Sequence, residues 1–181
     1  MAVQRNIVRA VGLGLVVLLS GAPRAAEADA EGPAKISTRV TAKGEVIAEV
    51  KVNSKVQAVR DVLDSAERSH KLAPTTVSSQ ATRDGACEKV KLQVRGLIAP
   101  FQIETRRCPT AKGYLETLVS SPDFSEYRNE WELKDLGAEG TLVTFKTRTK
   151  PNVQVPESLI QMETKRVLTR LMKNLMGALG E

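Results

Sequence analysis

The side chains best suited to acid–base or nucleophilic chemistry are few in this chain. His70 is the only histidine, and it stands in a polar segment between Ser69 and Lys71. As a general base it would need an orienting partner and a place in a cavity. A histidine that is solvated or lies at the end of a helix is the simpler interpretation. The sequence contains no Gly-x-Ser-x-Gly elbow, no P-loop and no Gly-x-Gly-x-x-Gly fingerprint. We therefore assign no catalytic residue from these patterns.

The two cysteines, Cys87 and Cys108, flank a predicted β-hairpin formed by residues 88–94 and 101–107. In the register in which paired residue numbers sum to 195, apolar residues face apolar residues and charges face opposite charges, as cross-strand pairing favours. These pairs are Val94–Phe101, Leu92–Ile103, Lys91–Glu104 and Glu88–Arg107. The same register sets Cys87 opposite Cys108, which predicts a disulfide that staples the polar face. A redox-active pair has no Cys-x-x-Cys spacing to support it. With one histidine and paired cysteines, we expect neither a metal site nor a cofactor.

The N-terminal segment has the pattern of a secretory signal. Arg5 and Arg9 precede a short apolar run over residues 11–19, and small residues follow with Ala-x-Ala sites ending at Ala28 or Ala30. The run is too short for a membrane span. The alternative interpretation is an uncleaved N-terminal anchor.

The sequence thus predicts a signal peptide over residues 1–30 and one domain over residues 31–181, in a periplasmic or secreted protein. The formal net charge of +6 permits weak attraction to anionic lipid headgroups. Aromatic residues make up only 3% of the chain, which leaves few stacking platforms for bases, so nucleic-acid binding is not expected. The oligomeric state stays open.

Residue patterns after the leader predict strands, then two short helices, then antiparallel strands, then one long helix. Ser54-x-x-Gln57 is a capping-box pattern at the start of the first short helix, and Pro74 stops the second. This order is typical of an α+β domain. The predicted strands are residues 36–42, 46–52, 75–83, 88–94, 101–107, 113–119, 126–134 and 141–149.

The long helix is predicted over residues 155–179, with Pro156 in its first turn. A helix of this length must bury its apolar stripe, and the sheet is the expected partner. The stripe residues are Ile160, Val167, Leu168, Leu171, Leu175 and Leu179. Basic residues flank the stripe, and they form either a solvated face or a docking surface for an anionic membrane. These are Lys165, Arg166, Arg170 and Lys173.

Several motifs in this order resemble the START-like (SRPBCC) superfamily, in particular its polyketide cyclase/dehydrase and coenzyme-Q-binding-like groups. The resemblance covers roughly residues 36–176. It rests on Asp123-Phe124-x-x-Tyr127-x-Asn129-x-Trp131-x-Leu133, on Gly140-Thr141-x-Val143-x-Phe145, on Pro156 before the last helix, and on Val-x-Val-Asn-Ser followed by Val62-Leu63-Asp64. Relatives often carry Gly where this chain has Asn129.

The resemblance implies a helix-grip fold, in which a curved antiparallel sheet wraps around a long C-terminal helix and an apolar cavity lies between them. Members bind sterols, phospholipids, isoprenoid quinones or polyketides, and a minority catalyse cyclisation or dehydration. Trp131 either lines such a cavity or fills the core. The residues expected to line the cavity are Tyr114, Tyr127, Trp131, Leu133, Val143, Phe145, Met162, Leu168 and Met172.

Three functions follow as hypotheses. The first is an exported carrier for an apolar small molecule, such as a lipid or an isoprenoid quinone. The second is a polyketide cyclase/dehydrase-type enzyme that uses Tyr114, Tyr127 or His70 as acid or base. The third is a non-catalytic interaction module whose cavity is filled by its own side chains.

Overall fold

The computed structural model describes residues 35–96 and 100–181, which lie in one compact unit spanning Pro33–Glu181. The predicted signal peptide lies outside the described residues. In the two described ranges, no helix is both long and apolar enough to cross a membrane.

The described elements follow the predicted order and confirm the α+β helix-grip fold. The strands are β1 (Ser37–Val40), β2 (Val46–Val52), β3 (Thr76–Asp84), β4 (Cys87–Val94), β5 (Phe101–Thr110), β6 (Gly113–Ser120), β7 (Phe124–Asp135) and β8 (Thr141–Pro151). The helices are α1 (Val56–Leu63), α2 (Ala66–Lys71) and α3 (Glu157–Leu179), and a 3₁₀ turn spans Gly137–Glu139.

All eight strands join one curved antiparallel sheet in the order β1-β2-β8-β7-β6-β5-β4-β3. Alternation along each strand separates an inner face, which is turned toward the helices, from an outer face. Val50 and Val143 are paired neighbours on the inner face, and both are fully buried. The outer face carries cross-strand ion pairs: Arg39–Glu49, Lys89–Glu104, Arg106–Asp84, Lys146–Glu132 and Arg148–Glu126.

The β4–β5 hairpin has the predicted register in every described pair, from Glu88 opposite Arg107 to Val94 opposite Phe101. Cys87 and Cys108 form the predicted disulfide, with an S–S distance of 2.07 Å. The cysteines alternate with Glu88 and Arg107, so the bond lies toward the outer face. The disulfide therefore cross-links the two strands without occupying the interior.

Helix α3 begins at Glu157, two residues later than predicted, because Pro156 is the N-cap and keeps an extended backbone. It ends in a left-handed Gly180. Leu168, Leu171 and Leu175 of the predicted stripe are buried. The other three stripe residues, Ile160, Val167 and Leu179, are half-buried. The helix packs mainly on β2, β1 and α1.

The predicted capping box at the start of α1 is wrong. Lys55 is the N-cap and makes no side-chain cap bond. The Ser54 hydroxyl instead donates to Oε1 of Glu181 at 2.7 Å, and the amide of Gln57 donates to Asp61. Oε1 of Glu181 also accepts the Ser54 backbone amide at 2.9 Å, so Ser54 bonds to a residue beyond the end of α3 rather than to α1.

Candidate functional site

The inner face carries two separate apolar clusters. The first cluster lies between α3, α1 and strands β2, β7 and β8, where Leu63, Val143, Met172 and Leu175 are completely buried. Trp131 and Phe145 meet within it edge to face, with ring centroids 4.5 Å apart. Side chains of the protein itself thus fill the space between α3 and this half of the sheet.

The second cluster lies on β4 and β5 under α2, where Val90, Leu92 and Ile103 are buried beside Ala66. Its margin is formed by partly buried apolar side chains of the inner face: Ala81, Val94, Leu118, Phe124 and Tyr127. Phe124 contacts Phe101 at 5.2 Å and Tyr127 at 6.2 Å between ring centroids. Because these rings keep part of their surface accessible, the margin offers an aromatic contact area on the inner face.

A buried hydrogen-bond network lies on the inner face of β5, β6, β7 and β8. Its centre is Glu116 of β6, which is 5% exposed and accepts bonds from Thr105 and from the Asn129 side-chain amide. Oδ1 of Asn129 in turn accepts the Thr147 hydroxyl at 2.7 Å. This polar cluster lies between apolar residues of the inner face, and burial of so many polar groups is tolerated only because each is bonded.

His70 lies in the last turn of α2, as the helix-end interpretation expects, but it joins this network instead of facing solvent. The side chain is buried, with Nε2 lying 3.1 Å from Oε2 of Glu116 and Nδ1 lying 2.9 Å from the Ser79 hydroxyl. Helix α2 packs on β3, and this packing carries His70 inward. His70 therefore has the orienting carboxylate that a general base needs.

The electrostatics of the network keep Glu116 ionised. Burial alone would raise the pKa of this carboxyl, but the charge of His70 and the hydrogen bonds from His70, Thr105 and Asn129 outweigh burial and lower the pKa below its ordinary value. Burial, followed by the nearby Glu116 carboxylate, raises the pKa of the Tyr127 hydroxyl. Tyr127 is therefore a poor base at neutral pH, and its phenol stays protonated.

A second polar arrangement holds the junction between α1 and α2. We call Glu88 and Arg107 the clamp pair; Nη1 of Arg107 lies 2.9 Å from Oε2 of Glu88. Arg107 also donates to the carbonyls of Leu63 and Asp64 at the end of α1. Glu88 accepts the backbone amide of Ala66, the first residue of α2, at 3.0 Å. Each charge thus satisfies backbone groups that the break between the two helices leaves unpaired.

An open cleft of about 410 Å³ lies beside the clamp pair. Tyr114 forms part of its wall, and the Arg107 guanidinium lies over the Tyr114 ring at 3.9 Å from the centroid. The other lining residues are mostly polar: Asp64, Ser65, Arg83, Ala86, Cys87, Glu88 and Pro109. In the described part of the chain, no group of three or more His, Cys, Asp or Glu side chains is placed to hold a metal ion.

The residues expected to line a cavity fall into four places. Six belong to the packed first cluster: Trp131, Leu133, Val143, Phe145, Leu168 and Met172. Tyr127 lies at the margin of the second cluster, and Tyr114 lines the cleft while packing against the first cluster. Met162 is 58% exposed on α3, on the side away from the sheet.

The sequence analysis did not single out Glu116, Glu88 or Arg107 as interior groups. Strand alternation provides a signal for all three, because each shares a face with apolar neighbours in its own strand. Arg107 is two positions from Thr105 and four from Ile103, and all three are buried.

Comparisons with known proteins bear on the fold. No protein-family model matches this chain, and no curated protein matches its sequence. Solved structures do match. A START superfamily protein from Mycobacterium smegmatis is 16% identical with a TM-score of 0.64, and the match covers 74% of this chain and 94% of that one.

Two further solved structures share the fold. The Zhui aromatase/cyclase from Streptomyces sp. R1128 is 17% identical with a TM-score of 0.59, over 78% of this chain and 91% of that chain. Human StAR-related lipid transfer protein 5 is 14% identical with a TM-score of 0.62, over 83% and 88% of the two chains. The chain therefore has the START-like, helix-grip fold that the resemblance predicted.

Proposed function

We propose that this domain binds an apolar small molecule, such as a lipid or an isoprenoid quinone, on the inner face of its sheet. The proposal is supported by the fold, which is similar to that of a lipid transfer protein and of an aromatase/cyclase. The observation that carries it is the margin of the second cluster. There Phe124 and Tyr127 lie on the inner face and are only half-buried, and the half-buried Phe101 ring contacts Phe124.

The ligand would lie between this margin and the N-terminal half of α3. In that half Ile160 and Val167 are only partly buried, and the first fully packed residue is Leu168. Apolar surface left accessible on both sides suits an apolar ligand, because each Å² of apolar surface removed from water would favour binding by about 25 cal/mol. The six expected lining residues of the first cluster would then form the floor of the site, reached only if the ligand displaces packed side chains.

Binding suits the interior better than catalysis. The groups of the polar network are already bonded to one another, and the raised pKa of Tyr127 disfavours its use as a base. A cyclase/dehydrase-type activity is the second candidate, because His70 is oriented by Glu116. It requires that a substrate reach His70, and conversion of a polyketide substrate by the protein, lost in His70→Gln, would establish it.

The decisive experiment is native mass spectrometry of the mature protein purified from its own envelope. We expect a stoichiometric adduct in the mass range of lipids or quinones. Phe124→Ser should weaken the affinity for the ligand by about tenfold and so lower the adduct occupancy, because it removes an aromatic contact worth about 1.4 kcal/mol. Val119→Ser is the matched control, since Val119 is 50% exposed and alternates with Leu118 onto the outer face. A clean ligand-free mass under gentle extraction would argue against the carrier function.

We further propose that the protein is exported and contacts an anionic membrane through α3. The exposed side chains Leu159 and Met162 stand on its first turns, and Arg166, Arg170 and Lys173 follow on the exposed side. An apolar tip beside cations suits the interface of an anionic bilayer.

Vesicle flotation tests this membrane contact. Binding to phosphatidylglycerol vesicles should exceed binding to phosphatidylcholine vesicles and should weaken as salt is raised. Arg170→Gln/Lys173→Gln should reduce binding, whereas the control Lys89→Gln/Lys91→Gln removes two outer-face charges and should not. Equal losses in both variants would show that net charge, rather than α3, determines binding.

A further inference from the structure

The disulfide adjoins the clamp pair in the strand ladder. Glu88 is paired with Arg107 in β4 and β5, and Cys87 and Cys108 are the next residues along each strand. The covalent bond therefore fixes the separation of the two strands at the point where the clamp pair holds the α1–α2 junction. No other covalent link between strands is present in the described residues.

The clamp pair attaches the end of α1 and the start of α2 to the sheet. Arg107 is 3% exposed and bonds the last carbonyls of α1, while Glu88 bonds the first amide of α2. Such charge-assisted bonds depend on strand position, because a small shift lengthens several of them together. Moving β4 against β5 would therefore loosen the end of α1 and the start of α2 together.

We propose that the Cys87–Cys108 disulfide is a redox latch that keeps the α1–α2 junction closed against the sheet. A dithiol reductant would cleave the S–S bond, giving each sulfur one electron and one proton while the dithiol becomes its own disulfide. Both cysteines are partly exposed, and Cys87 lines the open cleft, so a small reductant has access. After reduction the clamp pair is held by non-covalent strand pairing alone, and the junction opens the cleft.

The response should be local. The β7–β8 pairing and the first cluster lie elsewhere on the sheet and are not linked through either cysteine. Their stability comes from packing on α3, which reduction does not alter. This inference is independent of the proposed ligand, because the latch acts on the chain itself.

Hydrogen–deuterium exchange of the mature protein with and without dithiothreitol tests the latch. On reduction, peptides covering residues 64–72 should exchange about tenfold faster, while peptides of β7 and β8 should keep their protection. Unchanged exchange over residues 64–72 would overturn the proposal. So would equal acceleration everywhere, because that result describes global destabilisation rather than a latch.

Glu88→Gln tests whether the clamp pair transmits the effect. Glutamine keeps an acceptor for the Ala66 amide but removes the charge opposite Arg107. The oxidised variant should already show faster exchange over residues 64–72, and reduction should add less than about twofold, because two changes that act through one contact are not additive. Persistence of the full tenfold response in Glu88→Gln would rule out this route.

Glu104→Gln is the matched control. It removes the Lys89–Glu104 ion pair, which joins the same two strands on the outer face at 3.2 Å. It should keep the full response to dithiothreitol. The double variant Cys87→Ser/Cys108→Ser should resemble the reduced protein and ignore the reductant. If that variant fails to fold, native protein and Glu88→Gln still decide the question.

Discussion

His70 and Glu116 bond to each other across the interior, joining α2 to β6 over a sequence separation of 46 residues. The pair is buried, and its remaining polar atoms are satisfied by Ser79, Thr105 and Asn129. Helix α2 is only six residues long and could not be stable alone. This bond is therefore one of the contacts that hold the helix in place.

The lowered pKa of Glu116 predicts a stability that depends on acid pH. A carboxyl whose folded pKa lies below its ordinary value of 4.5 stabilises the protein above that value, and the contribution is lost as the pH falls through the folded pKa. Unfolding in urea at several pH values should therefore show that the free energy of unfolding decreases as the pH is lowered below about 4.5.

Glu116→Gln should lose part of this pH dependence and about 1–3 kcal/mol of stability at neutral pH, because it leaves buried partners less well satisfied. Glu104→Gln is the control. The hydrogen bond from Lys89 also lowers the pKa of Glu104, but that carboxyl faces solvent and its effect should be small. Identical pH profiles for native protein and Glu116→Gln would contradict the assignment.

Leu171→Asp should unfold the domain. Leu171 is 4% exposed in the first cluster, and an unpaired carboxylate there would cost about 4 kcal/mol or more, a large part of the total stability of a typical domain. Leu159→Asp on the same helix should change stability by less than about 0.5 kcal/mol, because Leu159 is exposed and a carboxylate suits the first turn of a helix. Thermal melts by circular dichroism separate the two. An unchanged midpoint for Leu171→Asp would show that α3 does not pack as described.

Gly140→Ala should destabilise the turn between β7 and β8. Gly140 has φ of 90°, and a Cβ atom there would lie 2.0 Å from the carbonyl oxygen of Val52. Backbone strain alone costs about 1–3 kcal/mol, and the overlap with backbone adds to it. Gly85→Ala has a positive φ but no atom within 4 Å of the added carbon, so it should cost only about 1 kcal/mol. Equal urea midpoints for the two variants would contradict the close approach at Gly140.

Glu181→Gln should loosen the start of α1. The Glu181 carboxylate accepts three bonds from Asn53 and Ser54, and a neutral amide accepts them more weakly. Faster amide exchange over residues 53–57, with no change in α2, is the expected result. Asp135→Asn is the control, because the Asp135 carboxylate at the end of β7 accepts the Gly137 amide and lies far from α1 in the sequence, so exchange over residues 53–57 should not change.

Local patterns in the sequence were sufficient to predict the order of the helices and strands and the register of one hairpin. Alternating apolar and charged residues allow a single register between β4 and β5, because a one-residue slip would bury Lys91 and expose Leu92. The disulfide followed from that register. The stripe on α3 likewise identified Leu168, Leu171 and Leu175, since a 3.6-residue period places them on one side.

The tertiary structure alone decided which polar residues lie inside. Nothing near His70 in the chain indicates burial, because its carboxylate partner comes from β6 and its neighbours Ser69 and Lys71 are polar. Ser54 likewise bonds to Glu181, which is 127 residues away in the sequence, instead of capping its own helix. Such contacts depend on how α1 and α2 lie over the sheet, and that placement is set by packing between distant elements rather than by any local period.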